Sequence, residues 1–277
     1  MISLKNPAQI QKMKDAGKLL FEVESMVRDM IRPGVTTADL DVYAEQLIRK
    51  GGGIPSEKGY EGYPCSICAS VNDVLVHGIP SDKVVLQEGD ILSVDCTLLL
   101  DGWQADSAFT VGVGQISPEA RKLIRTTEEC FWDGIRQCLA GNRLGDVGYA
   151  IESHAKLAGF IPNREFTGHG IGRNMHEDPS VFNYGEPGRG FRLRKGMTIA
   201  VEPMICAGDG HVTIESDGWT ARTRDHGLCA HYEHTIAVTE AGFPEVLTLP
   251  DFDWERTPLN ADGYPRISHL ADDRGDA

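Results

Sequence analysis

Two aspartates eleven positions apart, Asp95 and Asp106, are the first residues whose spacing points to chemistry. They lie in residues 89–111, Gly-Asp-Ile-Leu-Ser-Val-Asp-Cys-Thr-Leu-Leu-Leu-Asp-Gly-Trp-Gln-Ala-Asp-Ser-Ala-Phe-Thr-Val. Two apolar, β-branched runs flank Asp101-Gly102, and an Asp-Gly pair in that setting is a strong hairpin signal. With the turn there, Leu100 pairs with Trp103 and Thr97 with Asp106. Asp95 shares a face with Thr97, so the two aspartates become diagonal cross-strand neighbours, roughly 7–8 Å apart at the backbone. Carboxylates converging on an apolar ribbon repel, and burial adds a desolvation cost, unless a proton or a cation sits between them. A metal site answers this; two aspartates on a solvated face is the plainer alternative.

The chain has 277 residues, 41% of them hydrophobic, enough for one large domain or two modest ones. A formal net charge of −14 argues against nucleic-acid binding through a broad basic surface, leaving only a local patch at Arg189, Arg192, Arg194 and Lys195. No apolar run is long enough to span a bilayer, and the N-terminus lacks a signal-peptide pattern, so a cytoplasmic protein is expected. The seven cysteines are odd in number and scattered, which suits reduced thiols. Cys65 and Cys68 form a CxxC, but no second pair follows at zinc-ribbon spacing.

The elements that must position the aspartates follow from periodicity. Residues 7–31 carry Ile10, Met13, Leu20, Val23, Val27 and Met30 at helical spacing, ending at Pro33-Gly34. A second helix runs from Thr36 to about Arg49, before three glycines. Residues 66–80 read as a β run, Ser117-Pro118 opens a helix to about Leu139, and residues 146–157 form another. The chain also repeats. Ile54-Pro55 aligns with Ile161-Pro162, and Asp95 with Glu202, at one offset (162 − 55 = 202 − 95 = 107). A period this long in two copies is a duplicated half-domain. A pseudo-twofold would bring Asp95 and Glu202 together at the middle, which strengthens the metal reading.

Further candidates stand nearby. His169 and His176 sit among glycines in Thr167-Gly-His-Gly-Ile-Gly-Arg-Asn-Met-His, which lacks the Lys-Ser/Thr of a phosphate loop. Val201-Glu202-Pro203 ends a strand. In His231-Tyr-Glu233-His234-Thr-Ile-Ala-Val, alternation puts Glu233 and His234 on opposite faces. No HExxH is present.

Asp95, Asp106, His169, Glu202 and Glu233, in this order and within a duplicated chain, resemble the pita-bread metallopeptidases and, among them, the type I methionine aminopeptidases. The resemblance covers roughly residues 5–248. It rests on Cys68-x-Ser-x-Asn72-x-Val-x-Val-His77-Gly-Ile-Pro, Val-Asp95 with Asp106, Gly-His169-Gly-Ile-Gly, Val-Glu202-Pro and Tyr-Glu233-His-Thr. Prolidases and X-Pro aminopeptidases carry a separate domain before the first Asp, for which the 94 preceding residues leave no room. Type II enzymes insert a helical segment between the His and the last Glu, and the intervals from 169 to 202 and 202 to 233 exclude it.

The resemblance implies an α/β (α+β) pita-bread fold, two pseudo-twofold-related halves around a curved antiparallel sheet backed by helices. One domain would span residues 1–249, with half-repeats at about 10–112 and 117–240, and residues 250–277 would form a polar, mobile tail that Trp254 and Tyr264 could dock. The implied activity is removal of the initiator Met from nascent polypeptides, with a small second residue preferred. Asp106 and Glu233 would bridge two divalent ions (Co, Mn, Fe or Zn), Asp95 completing one and His169 with Glu202 the other. A metal-acidified water would attack the carbonyl, with Glu202 accepting its proton and His77 and His176 assisting at the scissile amide. Tyr60, Tyr63, Cys68, His77, Met175, His176 and Trp219 would contact the substrate, with Met175 where Phe is expected. A monovalent cation near Asn72, Val74 and Cys229, a transient ribosome contact and a monomeric state complete the expectations. DNA and membranes are not expected partners. His154, His211, His226 and His269 fit no motif, and Cys65, Cys130 and Cys138 read as plain thiols. The rival readings are a metal-free binding protein on the same fold and an aminopeptidase of X-Pro specificity.

Overall fold

Asn6 and Thr36 start the first two helices, each in a reciprocal cap. In the computed structural model, which describes residues 2–240 and 242–266, Asn6 accepts from the Gln9 amide while Gln9 accepts from the Asn6 amide. This fixes α1 (Pro7–Met30), and Thr36 with Asp39 does the same for α2 (Thr37–Lys50). Ser117 caps α3 (Pro118–Arg136), with Pro118 supplying a preset φ at its first position. The helical reading to Leu139 overshoots. Beyond Arg136 the amides of Gln137 and Cys138 bond three residues back, to Gly134 and Ile135, so the chain tightens and leaves the helix. α4 (Leu144–Leu157) begins two residues before the expected Asp146, whose side chain accepts from the Arg143 amide.

The strands are β1 (Ile54–Pro55), β2 (Cys68–Val71), β3 (Val74–Val76), β4 (Ile91–Leu100), β5 (Trp103–Gly112), β6 (Ile161–Pro162), β7 (Gly168–Gly170) and β8 (Glu177–Val181). They continue with β9 (Thr198–Val201), β10 (Met204–Cys206), β11 (Val212–Ile214), β12 (Ala221–Thr223), β13 (Cys229–His231), β14 (Glu233–Ala237) and β15 (Glu245–Val246). The main sheet runs β1-β4-β5-β14-β9-β7-β8, with β2 added on β4 and β15 on β14. Two smaller sheets, β13-β10-β6 and β11-β12-β3, flank it, and every described pairing is antiparallel. The single β run expected over residues 66–80 is two strands. Asn72 at φ 55° turns the chain between them.

The repeat survives in the hydrogen-bond register. Pro55 faces Leu98 and Pro162 faces Ile205; Ile54 faces Leu99 and Ile161 faces Cys206. Both sets differ by the same 107 positions, as do α2 and α4. Each half packs its helices on its own strands. α1 and α2 bury Leu20, Val27, Leu40 and Ile48 against Val94, Leu98 and Phe109. α3 and α4 bury Phe131, Ile135, Val147 and Ile151 against Ile199, Val201 and Ile236. Each such side chain contributes about 1.5–3 kcal/mol over leaving it exposed.

Strand alternation then leaves one face of the sheet to helices and the other to chemistry. Val94, Cys96, Leu98, Ala105 and Phe109 face α1 and α2, so Asp95, Thr97, Asp106 and Ala108 face away. No helix of the described residues is long and apolar enough to cross a membrane. All seven cysteines are free.

Of the expected tail, residues 250–277, the described part to residue 266 makes contacts through the two side chains named as possible docking residues, Trp254 and Tyr264, and through Phe252. Phe252 and Trp254 lie 4.9 and 5.9 Å from the Trp132 ring, and the Trp254 indole donates to Pro244 O. Arg136 donates to Gly263 O, and Tyr264 OH donates to Asp133. The expectations for residues 267–277, His269 included, fall outside the described residues.

Candidate metal centre

The hairpin sets the geometry first. Asp101 and Gly102 have φ of 50° and 76°, the turn whose twist matches the strands it joins. Thr97 faces Asp106 and Leu100 faces Trp103, the register read from the sequence, and Thr97 Oγ1 donates to Asp106 Oδ1 at 2.7 Å. Ala108 lies opposite Asp95 on one side and Glu233 on the other, so those two carboxylates flank a methyl group. Val201 pairs with His234, which sets Glu202 and Glu233 at the adjoining end of the same ladder. Thr235 Oγ1 locks the arrangement by donating to Asp106 O.

His169 arrives from β7, between two glycines that its approach requires. A Cβ at Gly168 would lie 2.4 Å from Ala200 O, and one at Gly170 would lie 2.1 Å from Asp178 O. The glycine-rich stretch is therefore a close-packing device and not an anion cradle. The His169 Nδ1–H donates to Gly170 O at 2.9 Å, which leaves Nε2 to face Asp106 at 3.5 Å and Glu202 at 3.6 Å.

All five expected ligands thus converge. Asp106, His169 and Glu233 each place a ligand atom within 4.8 Å of the others, as do Asp95, His231 and Glu233. Asp106, Glu202 and Glu233 are buried, and Asp95 Oδ1, Glu233 Oε1 and His231 Nε2 have no hydrogen-bond partner. Buried acceptors without donors are costly, and divalent cations would satisfy them. Oxygen-rich donors with one imidazole fit a first-row divalent metal.

Without cations the cluster holds its charge poorly. Burial and neighbouring carboxylates, Asp106 foremost, push Asp95 and Glu233 well above the usual carboxylate range. Burial lifts Glu202 to about 8 against the opposing pull of His169. Burial lowers His169, but Asp106 and Glu202 more than compensate and raise it to about 9. His176 falls to about 4 through burial and the nearby His169.

The carboxylates floor a cavity of about 240 Å³. Its walls hold Tyr60, Tyr63, Cys68, His77, Met175, His176 and Trp219, every residue expected to meet substrate. The Tyr63 hydroxyl lies 3.1 Å from both Ile67 O and Gly78 O, which share its one proton, and its ring meets Trp219 edge-on at 5.1 Å. His77 sits in the left-handed region at φ 58°, with Trp219 and Phe166 edge-on at 6.1 and 5.4 Å. His176 Nδ1 bonds Tyr60 OH at 2.7 Å, and its ring lies 4.3 Å from that of His169.

Residues 11–240 match the profile of metallopeptidase family M24. A methionine aminopeptidase of Clostridium acetobutylicum is 49% identical over 249 residues, covering 90% of this chain and 99% of its own. A crystal structure of a methionine aminopeptidase from Thermotoga maritima superposes with a TM-score of 0.88 at 44% identity, over 90% of this chain and 99% of that one. The chain belongs to family M24. An Xaa-Pro dipeptidase from Bacillus anthracis, at 24% identity and a TM-score of 0.70 over 88% of this chain and 61% of that one, shares the fold alone. The α/β architecture described above is the pita-bread fold of the family, and membership brings divalent-metal peptidase chemistry with it.

Several residues of this M24 site escape the sequence reading. Glu57 and Phe166 line the cavity, and His231 stands behind it, 3.5 Å from Glu233 and 3.7 Å from Glu202. Glu57 hid in a Gly-, Pro- and Tyr-rich loop that reads as solvated; burial and Asp106 raise it to about 7. His231 was detectable, since it precedes Glu233 by two positions and so shares its side of a continuous strand. Asn72 and Cys229, expected near a monovalent cation, lie in contact: the Cys229 amide and thiol both donate to Asn72 O. Of the histidines without a motif, His154 bonds Asp133 and Glu129, which lift it to about 9.

Proposed function

We propose that this M24 protein is a methionine aminopeptidase: it hydrolyses the first peptide bond of polypeptides that begin with Met. The supporting observation is that one cavity joins a floor of carboxylates and imidazole to a wall of aromatic rings and sulfur. Asp95, Asp106, His169, Glu202 and Glu233 are the residues that would hold two divalent cations. Co, Mn, Fe and Zn all suit these donors. When bound, the cations would supply Lewis acidity and lower the pKa of a bound water.

The chain's own groups do the rest. The methionine side chain packs among Tyr63, Cys68, Met175 and Trp219, where polarizable sulfur and rings suit a thioether. Glu202, buried at the floor, accepts the proton of the attacking water. His77 and His176, both driven toward the neutral form by burial, donate N–H to the scissile amide and to the oxyanion that develops on its carbonyl. Tyr60 holds the His176 ring in place. The substrates are N-termini of new polypeptides, and the rim of the cavity restricts the second residue to small side chains.

The test is release of free Met from Met-Ala-Ser, Met-Leu-Ser and Ala-Pro-Ser after chelation and return of Mn, Fe or Co. Metal-dependent cleavage of Met-Ala-Ser alone is expected. Cleavage of Ala-Pro-Ser alone would move the specificity to the proline-directed relatives. No cleavage with any metal, in a folded protein, would leave the binding-protein reading.

A further inference from the structure

Cys206 and Cys229 take no part in the reaction above, yet the sheet sets them face to face. They are register partners on β10 and β13, and no other described pairing places two cysteines opposite each other. The flanking bonds show which kind of pair they form. The Ala207 N–H donates to Leu228 O at 2.8 Å, while the Cys229 N–H turns away from β10 to Asn72 O. Bonded and non-bonded pairs alternate along an antiparallel ladder, so Cys206 and Cys229 are a non-hydrogen-bonded pair. Such pairs hold their Cα atoms about 4.5 Å apart with both side chains on one face. That lies inside the roughly 4.4–6.8 Å that a disulfide spans, and both thiols are free.

The pair lies one side-chain layer from the cavity. Both residues pack with Val76, Met204 and Phe166, and those three also line the cavity. Cys206 follows Glu202 by four residues and Cys229 precedes Glu233 by four (206 − 202 = 233 − 229 = 4). The Cys229 thiol also donates to Asn72 O at 3.3 Å, at the left-handed turn that leads through β3 to His77. A bond between the sulfurs would tie together the two strands next to Glu202 and Glu233 and withdraw the thiol from that turn. Burial lifts Cys206 to about 12 and Cys229 well above the ordinary thiol value. Thiolate is therefore scarce at neutral pH, and the pair reacts slowly, under sustained exposure to an oxidant.

We propose that Cys206 and Cys229 are an oxidative modification site, which hydrogen peroxide closes to a cross-strand disulfide that lowers peptidase activity. One sulfur attacks the peroxide O–O bond and becomes a sulfenic acid, releasing water. The facing thiol then attacks that sulfur; the S–S bond forms, the S–O bond breaks, and the oxygen leaves as a second water. The two sulfurs give up two electrons and two protons, and the peroxide is reduced. Closure draws the sulfurs to about 2.05 Å. A shift on the order of 1 Å, passed along β10 and β13 to Glu202 and Glu233, is enough to misplace them for the reaction. The effect on activity rests on the aminopeptidase reading; the cross-link itself does not.

The test incubates the Mn-loaded protein with millimolar hydrogen peroxide, blocks the remaining thiols and maps linked peptides by mass spectrometry. Met release from Met-Ala-Ser is followed before treatment, after it, and after dithiothreitol. A peptide joined through Cys206 and Cys229 is expected. With it, kcat/KM should fall by at least about tenfold and return on reduction. Cys206→Ala, which cannot close the bond, should keep its activity through the same treatment. Linkage of either cysteine to a different partner, or no linkage while other thiols are consumed, would overturn the assignment. So would a linked protein of undiminished activity, or an equal loss in Cys206→Ala, which would place the damage elsewhere. If the untreated protein releases no Met with any metal, the aminopeptidase reading itself fails, and the peptide map still decides the cross-link.

Discussion

The two halves share a scaffold and divide the chemistry differently. The N-terminal half offers its carboxylates on one long hairpin, where Asp95 and Asp106 stand diagonal across β4 and β5. The C-terminal half offers Glu202 and Glu233 at the ends of β9 and β14, next to the Val201–His234 pair. Ala108 and Glu233 meet in register, one small and one acidic, and Thr235 serves as a hydrogen-bond partner of Asp106. Duplication supplied two equivalent strands. Function then needed them to differ, because four carboxylates in mirror positions would not leave the asymmetric approach that His169, His77 and His176 make from one side.

The largest effect should come from taking one carboxylate from each half. Asp106→Ala and Glu233→Ala should each lower kcat/KM on Met-Ala-Ser by at least about 10³-fold, since ligands to one centre act as a unit. A variant keeping a tenth of wild-type activity would show that its half is dispensable to the chemistry.

The scaffold half of the comparison can be tested at register-equivalent core positions. Leu98 and Ile205 are both fully buried and sit 107 positions apart, facing Pro55 and Pro162. Truncating either to Ala should cost about 2–5 kcal/mol in urea unfolding. A cost below about 1 kcal/mol at one of them would mean that the halves do not share the load in the way their register suggests.

Much of this was legible beforehand because it rests on local rules. The Asp101-Gly102 turn, strand alternation and the 107-residue offset fixed the hairpin register and placed Asp95 and Asp106 on one face. The end of α3, the break at Asn72 and the seating of Phe252 were not legible, because tertiary contacts decide them, whereas Trp254 and Tyr264 were already candidate docking residues. Glu57 was missed for a different reason. A single glutamate in a loop looks solvated until the fold closes Cys68, Thr97 and Asp95 around it.

The next effect concerns the metal-free protein. Burial raises Glu202 to about 8, so the folded chain holds a proton there that the unfolded chain, near 4.5, gives up. Between those values the folded state binds more protons, so stability falls as pH rises from about 5 to 8. With chelator present, Tm should drop across that window by an amount on the order of 5 °C. Mn-loaded protein should not show the drop, and equal slopes in both forms would contradict the assignment of this buried site as the cation site.

The smallest effect lies far from the cavity, on the C-terminal half. Asp133 and Glu129 raise His154 to about 9, and Tyr264 joins the cluster from the docked segment. Because the folded value exceeds the unfolded 6.5, the stabilisation is complete below about 6.5 and lost as pH rises through about 9. His154→Gln should cost about 1 kcal/mol at pH 6, as the group is partly in solvent, and almost nothing at pH 10. A pH-independent difference would leave packing alone as the role of His154.

The most direct test joins both halves in one titration: Mn(II) added to chelated protein, with bound metal and Met release from Met-Ala-Ser followed together. The account predicts that activity appears as ions bind, up to two per chain, and that Asp106→Ala stays inactive throughout. Full Met release by metal-free protein, or two tightly bound ions with no release from any Met peptide, would contradict it.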